Sequence, residues 1–225
     1  MRGLPVNQSA EFLRHAIRIG AVELLEESRK IKSGRMSPYF FNSGLFCDGK
    51  SLSSLAKAYA AKINENWDRL RPEVIFGPAY KGISIAAITC LTLYSDYQRE
   101  VAFAHDRKEV KDHGEGGLIV GSNLAGKRVL LVDDVITTGG TKTEALETIE
   151  ANDGIPVGLV IAFDREETGV DTVLSAAEAF SKDTDLPTFS AAGLSDLIAV
   201  LETCQGLNHY NALSSIRTYK EQYGT

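Results

Sequence analysis

Short uninterrupted apolar runs alternate with apolar residues at helical spacing along most of the chain, and this alternation predicts its elements. Phe12, Leu13, Ala16 and Ile17 predict an N-terminal helix. A basic, turn-rich stretch at 30–37 follows, then a short strand at 38–42 between Gly34 and Gly44. Leu52, Leu55, Ala56, Tyr59 and Ile63, with serines at the start, predict an amphipathic helix. From residue 72 the pattern becomes strand, glycine loop, helix. Strands are expected at 74–76, 101–104, 129–132 and 157–163, and helices at 83–93 and from 141 to about 151. A further strand at 186–190, a helix at 194–204 and an amphipathic helical stretch from 208 complete the pattern, without internal repeats. Apolar strands alternating with helices are parallel strands covered on both faces. The expected fold class is therefore α/β, an open, mostly parallel twisted sheet with helices on both faces. Ligands of such sheets sit at the carboxyl ends of the strands. Three loops qualify, at 77–82, 106–117 and 133–141.

Composition narrows the picture. The 225 residues carry 24 basic and 30 acidic side chains, a net charge of −6, with 44% hydrophobic residues. That is an ordinary globular balance, and it argues against bulk nucleic-acid binding, which needs excess Lys and Arg. Cys47, Cys90 and Cys204 form neither a CxxC pair nor a disulfide framework. No signal peptide is apparent, and the longest nearly apolar run, at 83–93, is too short for a bilayer. A cytoplasmic protein, not attached to a membrane, is expected. Any anionic ligand must be met by a local concentration of donors.

The loop after 129–132 is the most informative. Asp133 and Asp134 close the strand, Val135 and Ile136 follow, and Thr137, Thr138, Gly139, Gly140 and Thr141 lead into the helix. Glycines and hydroxyls at a helix N-terminus suit a phosphate monoester. Two carboxylates there would repel phosphate, so they should meet ribose hydroxyls or a divalent cation. An Asp-rich turn with a Thr cap is the plainer alternative. In the loop 77–82, two glycines and a proline carry Tyr80 and Lys81, the lysine supplying a cation at the same sheet edge. In 106–117, Arg107, Lys108, Lys111 and His113 precede a glycine cluster, which favours a mobile lid over a salt-bridged surface helix. Residues 121–127 mimic a P-loop, but Arg128 replaces the metal-binding hydroxyl and a strand follows, so a turn is expected.

The string from Val129 to Thr141 resembles the ribose-phosphate signature of type I phosphoribosyltransferases. With Lys32-Ser33-Gly34-Arg35, Ser37-Pro38-Tyr39-Phe40-Phe41-Asn42, Gly77-Pro78-Ala79-Tyr80-Lys81-Gly82 and the run from Arg107 to Gly114, the chain is similar to the orotate phosphoribosyltransferases. The resemblance implies one domain over 1–225, with 1–70 as an N-terminal hood and 71–170 as the core sheet. It implies phosphoribosyl diphosphate contacts from Lys32, Tyr80, Lys81, Arg107, Lys108, Lys111, His113 and the whole run 133–141. It implies orotate contacts from Phe40, Phe41, Thr137 and Arg165, the guanidinium meeting the anionic pyrimidine. Arg107, Lys111, His113, Asp133 and Asp134 are then the residues nearest the chemistry, with Mg²⁺ held mainly by the substrate. A homodimer, with the lid reaching the neighbouring active site, is also implied. Lys32, Lys81, Arg107, Lys108, Lys111 and Arg165 would converge on one cationic cleft. Thr138 and Gly140-Thr141 stand where many relatives have Ala and Thr-Ala, and beyond about 170 the resemblance is loose. A transferase for another base and a non-catalytic sensor of phosphoribosyl diphosphate remain as alternatives.

Overall fold

The apolar runs at 74–76, 129–132 and 157–163 form the centre of a six-stranded sheet in a computed structural model that describes residues 7–31, 33–111, 117–136, 140–169, 172–203 and 207–225. The chain opens with α1 (Gln8–Arg18), β1 (Val22–Lys30), β2 (Met36–Phe41), α2 (Gly49–Glu65) and the short α3 (Trp67–Leu70). It continues through β3 (Val74–Phe76), α4 (Lys81–Tyr97), β4 (Ala102–Lys111), β5 (Gly117–Gly121), β6 (Arg128–Asp133) and α5 (Gly140–Ala151). The last elements are β7 (Ile155–Asp164), α6 (Ala176–Thr184), β8 (Thr188–Gly193), α7 (Leu194–Thr203) and α8 (Leu207–Tyr223).

The main sheet runs β5-β4-β3-β6-β7-β8 and is parallel except for β5, which pairs antiparallel with β4 at the edge. Side chains alternate across it. Ile75, Leu130, Val132, Val160 and Ala162 enter one buried cluster with residues of α1, α2, α4, α7 and α8. Val74, Phe76, Val129, Leu131, Leu159 and Ile161 enter the other, under α5 and α6. Both faces are covered, which explains why these strands read as unbroken apolar runs. Strand order reverses between β3 and β6, so the loops after those two strands flank a topological switch point, where ligands of open α/β sheets bind.

Four elements depart from the sequence pattern. β1 covers residues expected to precede a turn; its burial fades from Val22 outward, so its polar run shows no alternation. Pairing with β2 forms it, with Val22 opposite Phe41 and Leu24 opposite Tyr39. The expected loop at 106–117 is largely a ribbon, with β4 extending to Lys111 and β5 starting at Gly117; residues 112–116, including His113, lie outside the described ones. Neither α3 nor α6 was expected. α6 buries only Ala177 and Phe180, too few for a period, although Ser175 and Glu178 close a capping box at its start. The turn expected at 121–127 is present, with Lys127 donating to Ser122 Oγ at 2.9 Å.

The region after 170 is integral to the fold. Ile216 and Tyr219 of α8 share a buried cluster with Phe12 of α1 and Tyr39 of β2, and the Tyr39 ring meets both Phe163 and Tyr219 edge-on. No helix among the described residues is long and apolar enough to cross a membrane.

Candidate active site

β6 delivers two adjacent carboxylates to the switch point, and each is met by its own lysine. Asp133 Oδ2 lies 2.6 Å from Lys142 Nζ in the first turns of α5, with both side chains 9% exposed. Its Oδ1 accepts the Asp134 N–H at 2.9 Å, and its carbonyl accepts the Tyr59 hydroxyl of α2 at 2.7 Å. Asp134 Oδ2 accepts from Lys81 Nζ and from Ser43 Oγ, both at 2.7 Å, while Oδ1 accepts the Val135 N–H at 2.8 Å. Burial pushes the Asp134 carboxyl up, but the hydrogen bonds from Lys81 and Ser43, with the lysine charge, outweigh it and hold the group below its ordinary value. Burial, reinforced by Asp134 and Asp133, pushes the Tyr59 hydroxyl well up, so it remains a donor.

The loop from Gly77 to Gly82 brings Lys81 to this point. A Cβ on Gly77 would stand 1.9 Å from the Gly82 carbonyl, and one on Gly82 would stand 2.6 Å from Pro78 Cδ; only glycines allow the turn to close this tightly. Ala79 N–H donates to Asp106 of β4 at 2.6 Å, fastening the loop to the sheet. The Ala79–Tyr80 peptide is cis, and Tyr80 is largely exposed at the start of α4.

Phe40 and Phe41 of β2 point to opposite faces, as neighbours on a strand must. Phe41 turns inward and stacks on Phe163 at 5.3 Å. Phe40 is exposed, with the Arg29 guanidinium 4.4 Å from its ring centroid. Arg165, just past β7, packs over the Tyr39 ring at 4.3 Å. Its Nη2 lies 2.6 Å from Glu167 Oε1 and donates to Ser37 Oγ at 2.9 Å.

These groups share one cavity of about 1220 Å³. Phe40, Phe41, Tyr80, Lys81 and Arg165 line it, together with Asp133, Asp134, Val135 and Ile136. Arg107 and Lys108 are on β4, on the far side of β3 from β6, and do not line it. Of the six cations expected in one cleft, Lys81 and Arg165 line the cavity among the described residues, with Arg35 and Lys142 added and several carboxylates beside them. Lys111 ends β4, and Gly140 and Thr141 open α5. Lys32, His113, Thr137, Thr138 and Gly139 lie outside the described residues. Ser43, Tyr59, Lys142 and Glu167 were not foreseen from sequence. Lys142 had the best local signal, following directly on the glycine-threonine run; Ser43 and Tyr59 are remote in sequence from the acids they meet.

A family model described as a phosphoribosyl transferase domain matches residues 48–190. The chain is 43% identical over 213 residues to the orotate phosphoribosyltransferase of Dichelobacter nodosus, covering 95% of this chain and 94% of that protein. It is 44% identical over 220 residues to that of Kluyveromyces lactis, with 95% and 94% covered. The 1.9 Å crystal structure of orotate phosphoribosyltransferase from Francisella tularensis superposes with a TM-score of 0.82 at 31% identity, covering 96% of this chain and 100% of that one.

Proposed function

The chain belongs to the orotate phosphoribosyltransferase family, and from that membership we propose that it transfers the phosphoribosyl group of 5-phospho-α-D-ribose 1-diphosphate to orotate, giving orotidine 5′-monophosphate and diphosphate, a step of pyrimidine nucleotide synthesis. The bond from orotate N1 to the anomeric carbon forms as the bond from that carbon to the diphosphate oxygen breaks. Diphosphate leaves with the electron pair, and the N1 proton is released.

The observation that carries this reading is the pair of lysine-matched carboxylates in one cavity with Arg165 and Phe40. Asp133 and Asp134 accept from the ribose hydroxyls and oppose the positive charge that develops on the ribosyl carbon. As Asp134 exchanges Lys81 for a ribose hydroxyl, the lysine turns to the departing diphosphate. The 5′-phosphate is assigned to the run 137–141, of which Gly140 and Thr141 open α5 and 137–139 lie outside the described residues. Phe40 and Phe41 line the place of the pyrimidine and Arg165 meets its carboxylate; Thr137, assigned to the same substrate by the family resemblance, lies outside the described residues.

Asp133 and Asp134 are the adjacent carboxylates at the end of β6; Glu144, Glu147, Asp164, Glu167 and Asp183 also line the cavity, yet among the described residues no group of three or more His, Cys, Asp or Glu is arranged to hold a metal ion. That donor set fits Mg²⁺ brought in on the substrate, since Mg²⁺ keeps phosphate and water ligands and takes one or two carboxylates. When bound, it neutralises charge on the diphosphate. We assign Arg107, Lys108, Lys111 and His113 to the neighbouring active site of a homodimer, a reading supported by Arg107 and Lys108 standing outside their own chain's cavity. A cytoplasmic setting accords with three cysteines in no paired spacing.

The test is the purified protein with Mg²⁺, phosphoribosyl diphosphate and orotate. Loss of orotate absorbance, with one diphosphate released per orotate consumed, is expected. Turnover of hypoxanthine or adenine in place of orotate, or of no base, would overturn the assignment.

A further inference from the structure

The loop that carries Arg165 is gripped by the end of α8. Glu167 forms an antiparallel β-bridge with Gly224, the Thr168 N–H donates to the Tyr223 carbonyl at 2.8 Å, and the Thr225 N–H donates to the Glu166 carbonyl at 3.0 Å. Lys220 adds an ion pair to Glu166 at 2.7 Å. Glu166 itself has a left-handed backbone, φ +50°, so the loop turns sharply between Arg165 and Glu167. This turn brings Glu167 back onto the arginine. Its Oε1 accepts from Arg165 Nε at 2.7 Å, Tyr39 OH donates to the same oxygen at 3.4 Å, and Oε2 lies 3.6 Å from Arg35 Nη1. The Glu167 side chain is 9% exposed. Arg35 in turn covers the Tyr223 ring at 4.6 Å.

A long guanidinium left to itself samples many rotamers, and ordering it on binding costs affinity. Here Glu167 and Ser37 engage Nε and Nη2 and the Tyr39 ring supports the guanidinium plane, while Nη1 is used by neither Glu167 nor Ser37. The arginine therefore lines the cavity already aimed. We propose that Glu167 is a positioning residue for Arg165, and that the 223–225 segment, acting through the Glu167–Gly224 bridge, tunes recognition of the substrate's carboxylate without touching substrate. This inference rests on the orotate reading above.

Steady-state kinetics separate the two. Orotate and phosphoribosyl diphosphate are varied independently with the wild type, Glu167→Ala, Glu167→Gln and Gly224→Val, and thermal melting is recorded for each. Wild-type protein that turns over no orotate overturns the substrate assignment and the inference with it. With active wild type, Glu167→Ala is expected to raise KM for orotate about tenfold or more, as a misaimed binding group does, with KM for phosphoribosyl diphosphate within about twofold. Glu167→Gln keeps an acceptor for Nε and is expected to recover most of the loss. Gly224→Val acts at a distance: a Cβ there meets the Lys220 carbonyl at 2.5 Å, so the bridge must shift. It is expected to raise KM for orotate in the same selective way. An unchanged KM for orotate in both Glu167→Ala and Gly224→Val, or equal rises in both KM values, overturns the inference. Should Gly224→Val fail to fold, deletion of Thr225, whose N–H holds the Glu166 carbonyl, takes its place, with the same selective rise expected and its absence overturning the role of the segment.

Discussion

Lys142 Nζ stands 2.6 Å from Asp133 Oδ2, and neither side chain is more than 9% exposed. Two neighbouring carboxylates at the end of one strand repel each other, and this chain answers with a lysine for each. Lys142 is the buried one, while Lys81 on Asp134 is 58% exposed and able to leave. The first pair is a fixture of the fold and the second an exchangeable contact. The two pairs differ in exposure, not in the kind of contact each acid makes.

Removing Lys142 strands a buried charge. Lys142→Met is expected to cost about 3 kcal/mol, since breaking one side of a buried ion pair leaves an uncompensated ion. For a chain of this size that corresponds to a fall of roughly 6–12 °C in melting temperature. Adding Asp133→Asn should restore most of it. A single variant that melts with the wild type would show that the pair is not coupled to stability.

Asp134 makes stability depend on acid. Its folded pKa lies below the ordinary 3.8, so the carboxylate contributes stability that is fully present above that value and lost as pH falls through the lowered one. Asp134→Asn should therefore lose stability relative to wild type at pH 7, and the gap should narrow below about pH 4. Melting curves at both pH values check it. The same variant is expected to lower orotate turnover far more than it lowers the melting temperature.

The adjacent phenylalanines should part company. Phe41→Ala removes a ring stacked on Phe163 and is expected to cost about 3 kcal/mol in urea unfolding. Phe40→Ala loses an exposed ring and its Arg29 contact, about 0.5–1 kcal/mol, yet should raise KM for orotate. Equal effects on stability would contradict the opposite facing of the two rings.

Tyr59→Phe removes one hydroxyl from a fully buried residue and leaves the Asp133 carbonyl without that donor. A loss of about 1–2 kcal/mol is expected by denaturant titration, with a smaller loss in turnover than Asp134→Asn gives. Wild-type stability in this variant would mean that α2 does not brace the acid loop.

The parts of this protein that could be read directly from the chain are those whose physics is local. β3, β6 and β7 are apolar on both faces, so their strand character is written in consecutive residues, and the acids and glycines of 133–141 are contiguous. β1 and β5 could not be read so, because they are ribbon strands made by their partners: Val22 needs Phe41 opposite it, and His105 needs Val120. The same limit applied to the site. Asp133, Asp134, Lys81, Phe40 and Arg165 were found because each lies in a recognisable run, whereas their partners Tyr59, Ser43 and Ser37 come from other elements. Local sequence sufficed for the α/β class, for the loops that carry the chemistry and for a net charge unsuited to nucleic acid. Folding alone settled which lysine faces which acid, that Arg107 and Lys108 stand apart from their own chain's cavity, and that the end of α8 steadies Arg165. These relationships depend on distances across the sheet and between its layers, and no spacing along the chain encodes them.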